Sequence, residues 1–432
     1  MLVGVSEIVK IAVISDLHFG YAHATELEQD SFDNAEEAID KAMSMDADMI
    51  MLAGDIFDSR LPRTGGWARA IRILVKPLLK KNIGLQLVSS SKELKEISKR
   101  SLQSIPIGAI HGTHERRGRD ETNAVEALEH AGILIHLHCD SVVFEKDGRK
   151  VAVHGMSGVA ERYAKSVLDR WNPQPVADAF NILMIHQSIS PYVYSPLEPP
   201  TLSLSNLPKG FNVILDGHIH ATGKEKINGT HFIVVGSTVT TQLEKNEAGA
   251  SKGFYMIEFD DTVKIDFVQL QKNRKFFFEE IVLSKDNMLS VGEQIEKKID
   301  YIMSNPAAMF AKKPLIKIKI IGGEHDVMER DLRHTEKKYA DAAIVRFTKQ
   351  LGGAEMEKKI ELLRNVRDQK LSAEEIGIQI LKKNLDAMSF EPVFDYNQAF
   401  DLLSEEDVEK MFDIITGEQT TLVQALKKPM VL

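Results

Sequence analysis

Apolar residues come in short, dense runs along this chain, and several of the runs stop at a cluster of histidine and carboxylate side chains. KIAVIS leads into Asp16 and His18, DMIMLA into Asp55, PIGAI into Thr113 and His114, NILMI into His186, and NVILD into His218 and His220. Runs this short, rich in Val, Ile, Leu and Met, predict strands buried on both faces. Between them the spacing turns helical, as in EEAIDKAMSM and NAVEALEHAG. Residues 1–270 therefore predict an α/β domain, with HFIVVGS and GFYMIEF as the second half of its sheet system. The charged and aromatic stretch from Lys272 to Glu280 marks the exit from that domain.

Residues 280–350 hold a helical pattern, VGEQIEKKIDYIM, breaks at Pro306 and Pro314, and a strand at Leu315 to Ile321. They predict a small α+β unit. From 351 to 432 the pattern is a charged linker followed by two short amphipathic helices. Ser372-Ala373-Glu374-Glu375 forms a capping box ahead of Ile376, Ile380 and Leu381; Ser404-Glu405-Glu406-Asp407 precedes a stripe of Val408, Met411, Phe412 and Ile415. Helices this short cannot build a large core alone, so their stripes need a partner surface or the parent domain. The stretch from Trp67 to Leu79 carries Ile71, Leu74, Val75 and Leu78 at helical spacing, which suits core packing and a two-fold helix interface equally well.

The clusters that end the strands are Asp16-Leu17-His18, Gly54-Asp55, Gly112-Thr113-His114-Glu115, His186 and Gly217-His218-Ile219-His220. Each alone is more often a capped turn than a ligand set. Five in order after five strands are another matter, because ligands collect at the carboxyl ends of strands in α/β sheets and the five ends are expected to converge. Two divalent cations about 3.5 to 4 Å apart clamp a phosphate and activate water, with a carboxylate as the natural bridge. Nitrogen and oxygen donors without cysteine favour manganese or iron over magnesium. His111 and His154 are expected to be structural, and His130, His136, His138, His231, His325 and His334 lack ligand spacing.

These motifs resemble those of the calcineurin-like metallophosphoesterases. Asp16-Leu17-His18-Phe19-Gly20-Tyr21 and Ala53-Gly54-Asp55-Ile56-Phe57-Asp58-Ser59 are similar to the nuclease subunit of double-strand-break repair complexes, the meiotic-recombination-eleven and SbcD type. The resemblance implies a two-sheet sandwich flanked by helices, a small capping domain that selects DNA, and a helical C-terminal tail that grips the coiled coil of an ABC-type ATPase. It implies that Asp16, His18 and His220 hold one metal and Asp55, His186 and His218 the other, with Asp55 bridging. His114 would stabilise the transition state or protonate the leaving oxygen, and His23 lies where the family can place another histidine near the site. Two manganese ions are implied, with iron or magnesium as substitutes, together with a homodimer.

Two positions depart from the family. Thr113 stands where an asparagine usually binds the second metal, and its hydroxyl falls roughly 1.5 Å short on covalent dimensions, so weaker occupancy is expected there. Asp58 stands where a histidine often faces the phosphate, and would repel DNA unless it reaches a metal or Arg60.

Composition narrows this only a little. The net charge of -9 over 432 residues argues against a generally basic DNA-binding face. Local clusters remain as candidates: Arg60 and Arg63 after the second motif, Arg116, Arg117 and Arg119 after the third. A single cysteine, Cys139, excludes an internal disulfide framework. With no basic region followed by a long apolar stretch at the amino terminus, the expectation is a cytoplasmic protein, nucleoid-associated in a prokaryote, without membrane contact. The expected function is a manganese-dependent DNA nuclease, both 3′ to 5′ exonuclease and endonuclease, acting on DNA ends. The alternatives are a phosphatase or phosphodiesterase on other substrates, disfavoured because Ile56-Phe57-Asp58-Ser59 is unlike the protein phosphatases, and a DNA-end scaffold with weak catalysis.

Overall fold

The computed structural model describes residues 8–82, 84–118, 121–193, 200–260, 262–283, 290–304, 310–322 and 329–350, without the side chains of 329–331. Arg119 and the tail residues Ile376, Ile380, Leu381, Val408, Met411, Phe412 and Ile415 lie outside that description.

All five ligand-bearing runs are strands, but they divide between two sheets. Val9–Ile14, Met49–Ala53 and Ile107–Ile110 are parallel neighbours in a six-stranded sheet. Ala179–Ile185 and Val213–Asp216 are parallel neighbours in a seven-stranded one. Register keeps the carboxyl ends level, with Ile14 beside Leu52, Ala53 beside Ile110 and Ile185 beside Asp216. HFIV follows the expected course, since Thr230–Val234 pairs with Val213–Asp216. GFYMIEF does not stay with that later sheet; Gly253–Phe259 returns to the first one, antiparallel to its first strand, with Val13 opposite Tyr255. A strand buried on both faces carries no local mark of its partner, so this pairing could not be read from its own residues.

Alternation along the strands builds the layers. Val9, Ile11, Val13, Met49 and Met51 point into a core shared with Val151, Val153, Ile182, Met184, Val213 and Leu215 of the other sheet. Ala12, Ile14, Ile50 and Leu52 point the other way, onto Phe32, Ala35 and Ile39 of the Glu28–Ser44 helix and onto Ala70 and Leu74. On the far face, Leu183, Ile185 and Ile214 pack against Ala164 and Leu168 of the Glu161–Trp171 helix. The result is a two-sheet sandwich with helices outside. Each of these fully buried aliphatic side chains contributes about 1.5 to 3 kcal/mol, so the strand ends stand on a rigid base.

The Trp67–Leu79 stretch splits into a helix, Thr64–Leu74, and a short turn of helix at Pro77–Leu79. Leu74 and Leu78 are buried, and Trp67, Ile71 and Val75 pack partly buried on the same core, while Leu79 is exposed.

A separate sheet of three parallel strands, Phe276–Val282, Leu315–Ile321 and Ile344–Gln350, follows the sandwich. The Val291–Met303 helix, capped by Ser290 and Glu293, buries Ile295, Ile299 and Ile302 on Ile316, Ile318 and Ile320. Part of the join to the sandwich is polar and buried. Arg274 donates to Asp30 at 2.5 and 3.2 Å and to the Lys313 carbonyl at 2.5 Å, tying the Glu28–Ser44 helix to the foot of the small sheet. Among the described residues, no helix is long and apolar enough to cross a membrane.

Candidate metal centre

The strand ends stay paired one step past the strands, and this is what sets the ligands. Asp16 N–H donates to the Gly54 carbonyl at 3.0 Å and His18 N–H to the Asp55 carbonyl at 3.0 Å. The chain then turns sharply, and four of the expected ligands take left-handed backbone: Asp16 (φ 51°), His18 (45°), Asp55 (45°) and His218 (71°). Asp and His tolerate that region better than most residues, yet such a conformation costs about 1 to 3 kcal/mol each and persists only where surrounding packing enforces it. Close approach also explains two glycines. A Cβ at Gly54 would run into the His186 ring, and one at Gly112 into the Asp55 carboxylate.

Two ligand groups result. Asp16, His18 and His220 bring donor atoms within 4.8 Å of one another, and so do Asp55, His186 and His218. In the first, His18 Nε2 lies 3.1 Å from His220 Nε2, and Asp16 Oδ1 lies 3.9 and 3.6 Å from those nitrogens. In the second, His186 Nε2 lies 3.2 Å from Asp55 Oδ2. His18, Asp55 and His114 meet the same distance limit, so Asp55 faces both sides.

Three imidazoles are oriented from behind. His186 Nδ1 faces the Ala53 carbonyl at 2.8 Å, His18 Nδ1 the Asp58 carboxylate at 3.1 Å, and His220 Nδ1 the Thr241 hydroxyl at 2.9 Å. Each contact occupies Nδ1 and leaves Nε2 facing the cluster, the usual way a metal-ligating histidine is fixed.

The residues fit divalent cations. Asp16 Oδ1 is buried without a hydrogen-bond partner, although a carboxylate oxygen normally demands one. Burial raises the Asp16 carboxyl, and nearby Asp55 adds to this. Burial also opposes charge on Asp55, but the His186, His114 and His18 imidazoles hold it well below the usual range. His186 shows the converse: burial would lower it, yet the Asp55 and Asp16 carboxylates push it up to about 10. Two buried carboxylates thus call for positive charge, which a proton on His186 or a cation among the nitrogens supplies.

Thr113 is half-buried, with its hydroxyl 3.4 Å from Asp55 Oδ2. His114 is exposed above the cluster. Its N–H donates to Asp55 Oδ1 at 2.9 Å, its Nδ1 faces the Asp58 carbonyl at 2.9 Å, and its Nε2 lies 4.0 Å from Asp55. Asp58 does not stand as a bare carboxylate: it lies 3.1 Å from His18 Nδ1 and 3.8 Å from His114 Nδ1. His23 is not brought into the cluster and pairs at the surface with Glu28 at 3.1 Å. Arg60 and Arg116 are half-buried, and Arg63 is exposed at the start of the Thr64–Leu74 helix. Arg117 falls in a second compact unit, most of which lies outside the described residues. His111 and His136 pair with each other at 2.9 Å and join none of the ligand groups.

Sequence reasoning assigned no role to Glu115, Ser15 or Thr241. Glu115 is buried and accepts from Phe57 N–H at 2.6 Å and Gly112 N–H at 2.7 Å, stitching the second motif to the third. Burial, with Asp55 adding, pushes its carboxyl up to about 8. Ser15 donates to Asp16 at 2.5 Å. Glu115 ends its motif and could have been suspected; Thr241 belongs to none of the motifs.

Residues 9–222 match the calcineurin-like phosphoesterase family. The chain carries a calcineurin-like phosphoesterase domain. Among curated proteins it is similar to the DNA double-strand break repair protein Mre11 of Methanopyrus kandleri, 28% identical over 63% of this chain and 59% of that protein. It is also similar to the double-strand break repair protein mus-23 of Neurospora crassa, 26% identical over 65% of this chain and 42% of the relative. MRE11 of Arabidopsis thaliana is 22% identical over 91% of this chain and 61% of the relative. The matches thus span between 42% and 61% of these relatives' own length. Within the phosphoesterase domain, the match reaches from the first strand past His220 and so takes in all seven of the expected ligands.

Proposed function

We propose that this chain is a manganese-dependent DNA nuclease acting at double-strand breaks, with exonuclease and endonuclease activity. The observation that carries the proposal is the pair of ligand groups, Asp16-His18-His220 and Asp55-His186-His218, linked by the closeness of Asp55 to His18, with an exposed histidine beside them. The relatives' names supply the substrate class. Asp16, His18 and His220 would hold one ion; Asp55, His186, His218 and Thr113 would hold the other. When bound, such a pair supplies a charge clamp for the phosphate and activates water for attack at phosphorus.

The chain's own residues do the rest. His114 is the exposed imidazole at the centre, and the Asp58 carbonyl beside its Nδ1 leaves Nε2 free on the side of Asp55, 4.0 Å from that carboxylate. As an imidazolium it donates to a phosphate oxygen or hands a proton to the leaving oxygen. Glu115 and the Asp55 contact to His114 N–H fix the loop that carries it. Arg60, Arg63 and Arg116 would track the DNA backbone around the site. The small sheet is proposed to select which DNA reaches it. The tail helices are proposed to bind a coiled-coil ABC-type ATPase, and the protein to act as a cytoplasmic homodimer, nucleoid-associated in a prokaryote.

The test is cleavage of end-labelled double- and single-stranded DNA with manganese, magnesium or no metal, beside a generic phosphodiester substrate and a His114→Ala variant. Manganese-dependent cutting of DNA that vanishes in the variant supports the nuclease. Turnover of the small substrate alone points to a phosphodiesterase of another kind, and DNA binding without turnover to a scaffold. For the tail, a chain truncated before Leu371 should no longer be recovered with the co-expressed ATPase.

A further inference from the structure

We propose that Thr241 is a positioning residue for His220 and that the small three-stranded sheet sets its position through Leu243, an inference that rests on the metal-centre reading above. For neutral His220 to offer the lone pair of Nε2 to a cation beside Asp16 and His18, its Nδ1 must carry the hydrogen and donate it; the acceptor 2.9 Å away is then the Thr241 hydroxyl. The Thr241 carbonyl is itself held, accepting from the Tyr21 hydroxyl at 2.8 Å.

Two residues further on, Leu243 has a φ of 53°, a left-handed backbone that a branched aliphatic residue avoids unless its surroundings enforce it. The enforcement is visible on both its backbone and its side chain. Leu243 N–H donates to Glu247 Oε2 at 2.9 Å, and the other oxygen of Glu247 accepts from Lys252 Nζ at 2.7 Å. Lys252 is 1% exposed, and its ammonium also donates to the Ser237 hydroxyl at 2.7 Å and the His220 carbonyl at 3.3 Å. His220 is therefore held at its ring and at its carbonyl by the two ends of one segment, Thr241 to Lys252.

The side chain of Leu243, with Ala248, packs on Phe276, Leu315 and Ile344. Those three residues open the three strands of the small sheet. Ion pairs flank the contact, Lys317 with Glu244 and Lys245 with Glu280, each at 3.0 Å. The same short segment thus touches His220 at both of its ends and the small sheet in between. A shift of the small sheet moves Leu243, loosens the Thr241 hydroxyl from His220, and weakens the ion held by Asp16, His18 and His220 while sparing the other.

The experiment is calorimetric titration of the full chain with Mn2+ alone, alongside melting in chelator to confirm folding. Thr241→Val is expected to weaken one of two binding events by about 10- to 100-fold, the range for losing such a contact behind a ligating histidine; Thr241→Ser keeps native affinity. Leu243→Asn, which retains access to the left-handed backbone but loses the apolar anchor, should weaken the same event several-fold. Where that variant melts early in chelator, Leu243→Gly replaces it. Native affinity in Thr241→Val overturns the positioning role, as does an equal loss in Thr241→Ser. Native affinity in the Leu243 variant overturns the link to the small sheet. A native chain that binds no Mn2+ defeats the metal-centre reading itself, a result distinct from all of these.

Discussion

Asp16, His18 and His220 form one side of the proposed metal centre and are all buried, and both of its imidazoles contact side chains from other segments, Asp58 and Thr241. The other side is held differently. His186 leans on a backbone carbonyl, His218 is half-buried, and the remaining donor is a neutral hydroxyl, Thr113, 3.4 Å from Asp55. The difference teaches that matched ligand types need not give matched sites. Buried, braced nitrogens lose little freedom when an ion binds, whereas a short neutral donor adds little charge and limited reach. The first side should therefore bind more tightly than the second.

The largest break in this comparison is Asp55→Asn, because Asp55 faces both sides. Metal content by elemental analysis should fall at both sites, and turnover of a generic phosphodiester should drop on the order of a thousandfold, about 4 kcal/mol of lost transition-state stabilisation. Loss of one ion with the other retained would show that Asp55 is no bridge.

Removing metal is the next largest effect. At Mn2+ concentrations about 100-fold above the dissociation constant, binding adds about 2.7 kcal/mol to stability, so chelator should lower the melting temperature by several degrees in scanning calorimetry. Identical melting curves would mean that the cluster holds no Mn2+.

Asp58→Ala sharpens the comparison by unbracing His18. The affinity of the first side should fall about 10- to 100-fold in a Mn2+ titration while the second is unmoved. Thr113→Asn acts on the other side and should tighten the weaker event by about tenfold, roughly 1.4 kcal/mol, bringing the two together. Two equally tight events in the native chain would refute the asymmetry before any variant is made. The smallest effect belongs to the periphery: Arg63→Ala should weaken DNA binding across sequences and reduce the salt slope by about 1, read by fluorescence anisotropy at several salt concentrations.

Much of the centre was legible in the residue order. Apolar runs closed by Asp16, Asp55, His114, His186 and His218 announced strands with chemistry at their carboxyl ends, because side-chain type and local periodicity are properties of neighbouring residues. The small sheet was only half visible. Phe276–Val282, which pairs with Leu315–Ile321, lies in a stretch whose charge and aromatic content marked an exit from the preceding domain.

What the sequence alone determined, then, was the five ligand-bearing strands, the types of side chain that end them and their order. Tertiary structure alone decided that five strand ends from two sheets share one site, that Gly253–Phe259 returns beside the first strand, and that Asp58 faces histidines. It also decided that Thr241, 21 residues past His220, braces that ligand. The physical reason is common to all of these. Periodicity encodes which face of an element is buried, but pairing between remote elements and the hydrogen bonds behind a ligand depend on the packing of the whole sandwich, which no local window contains.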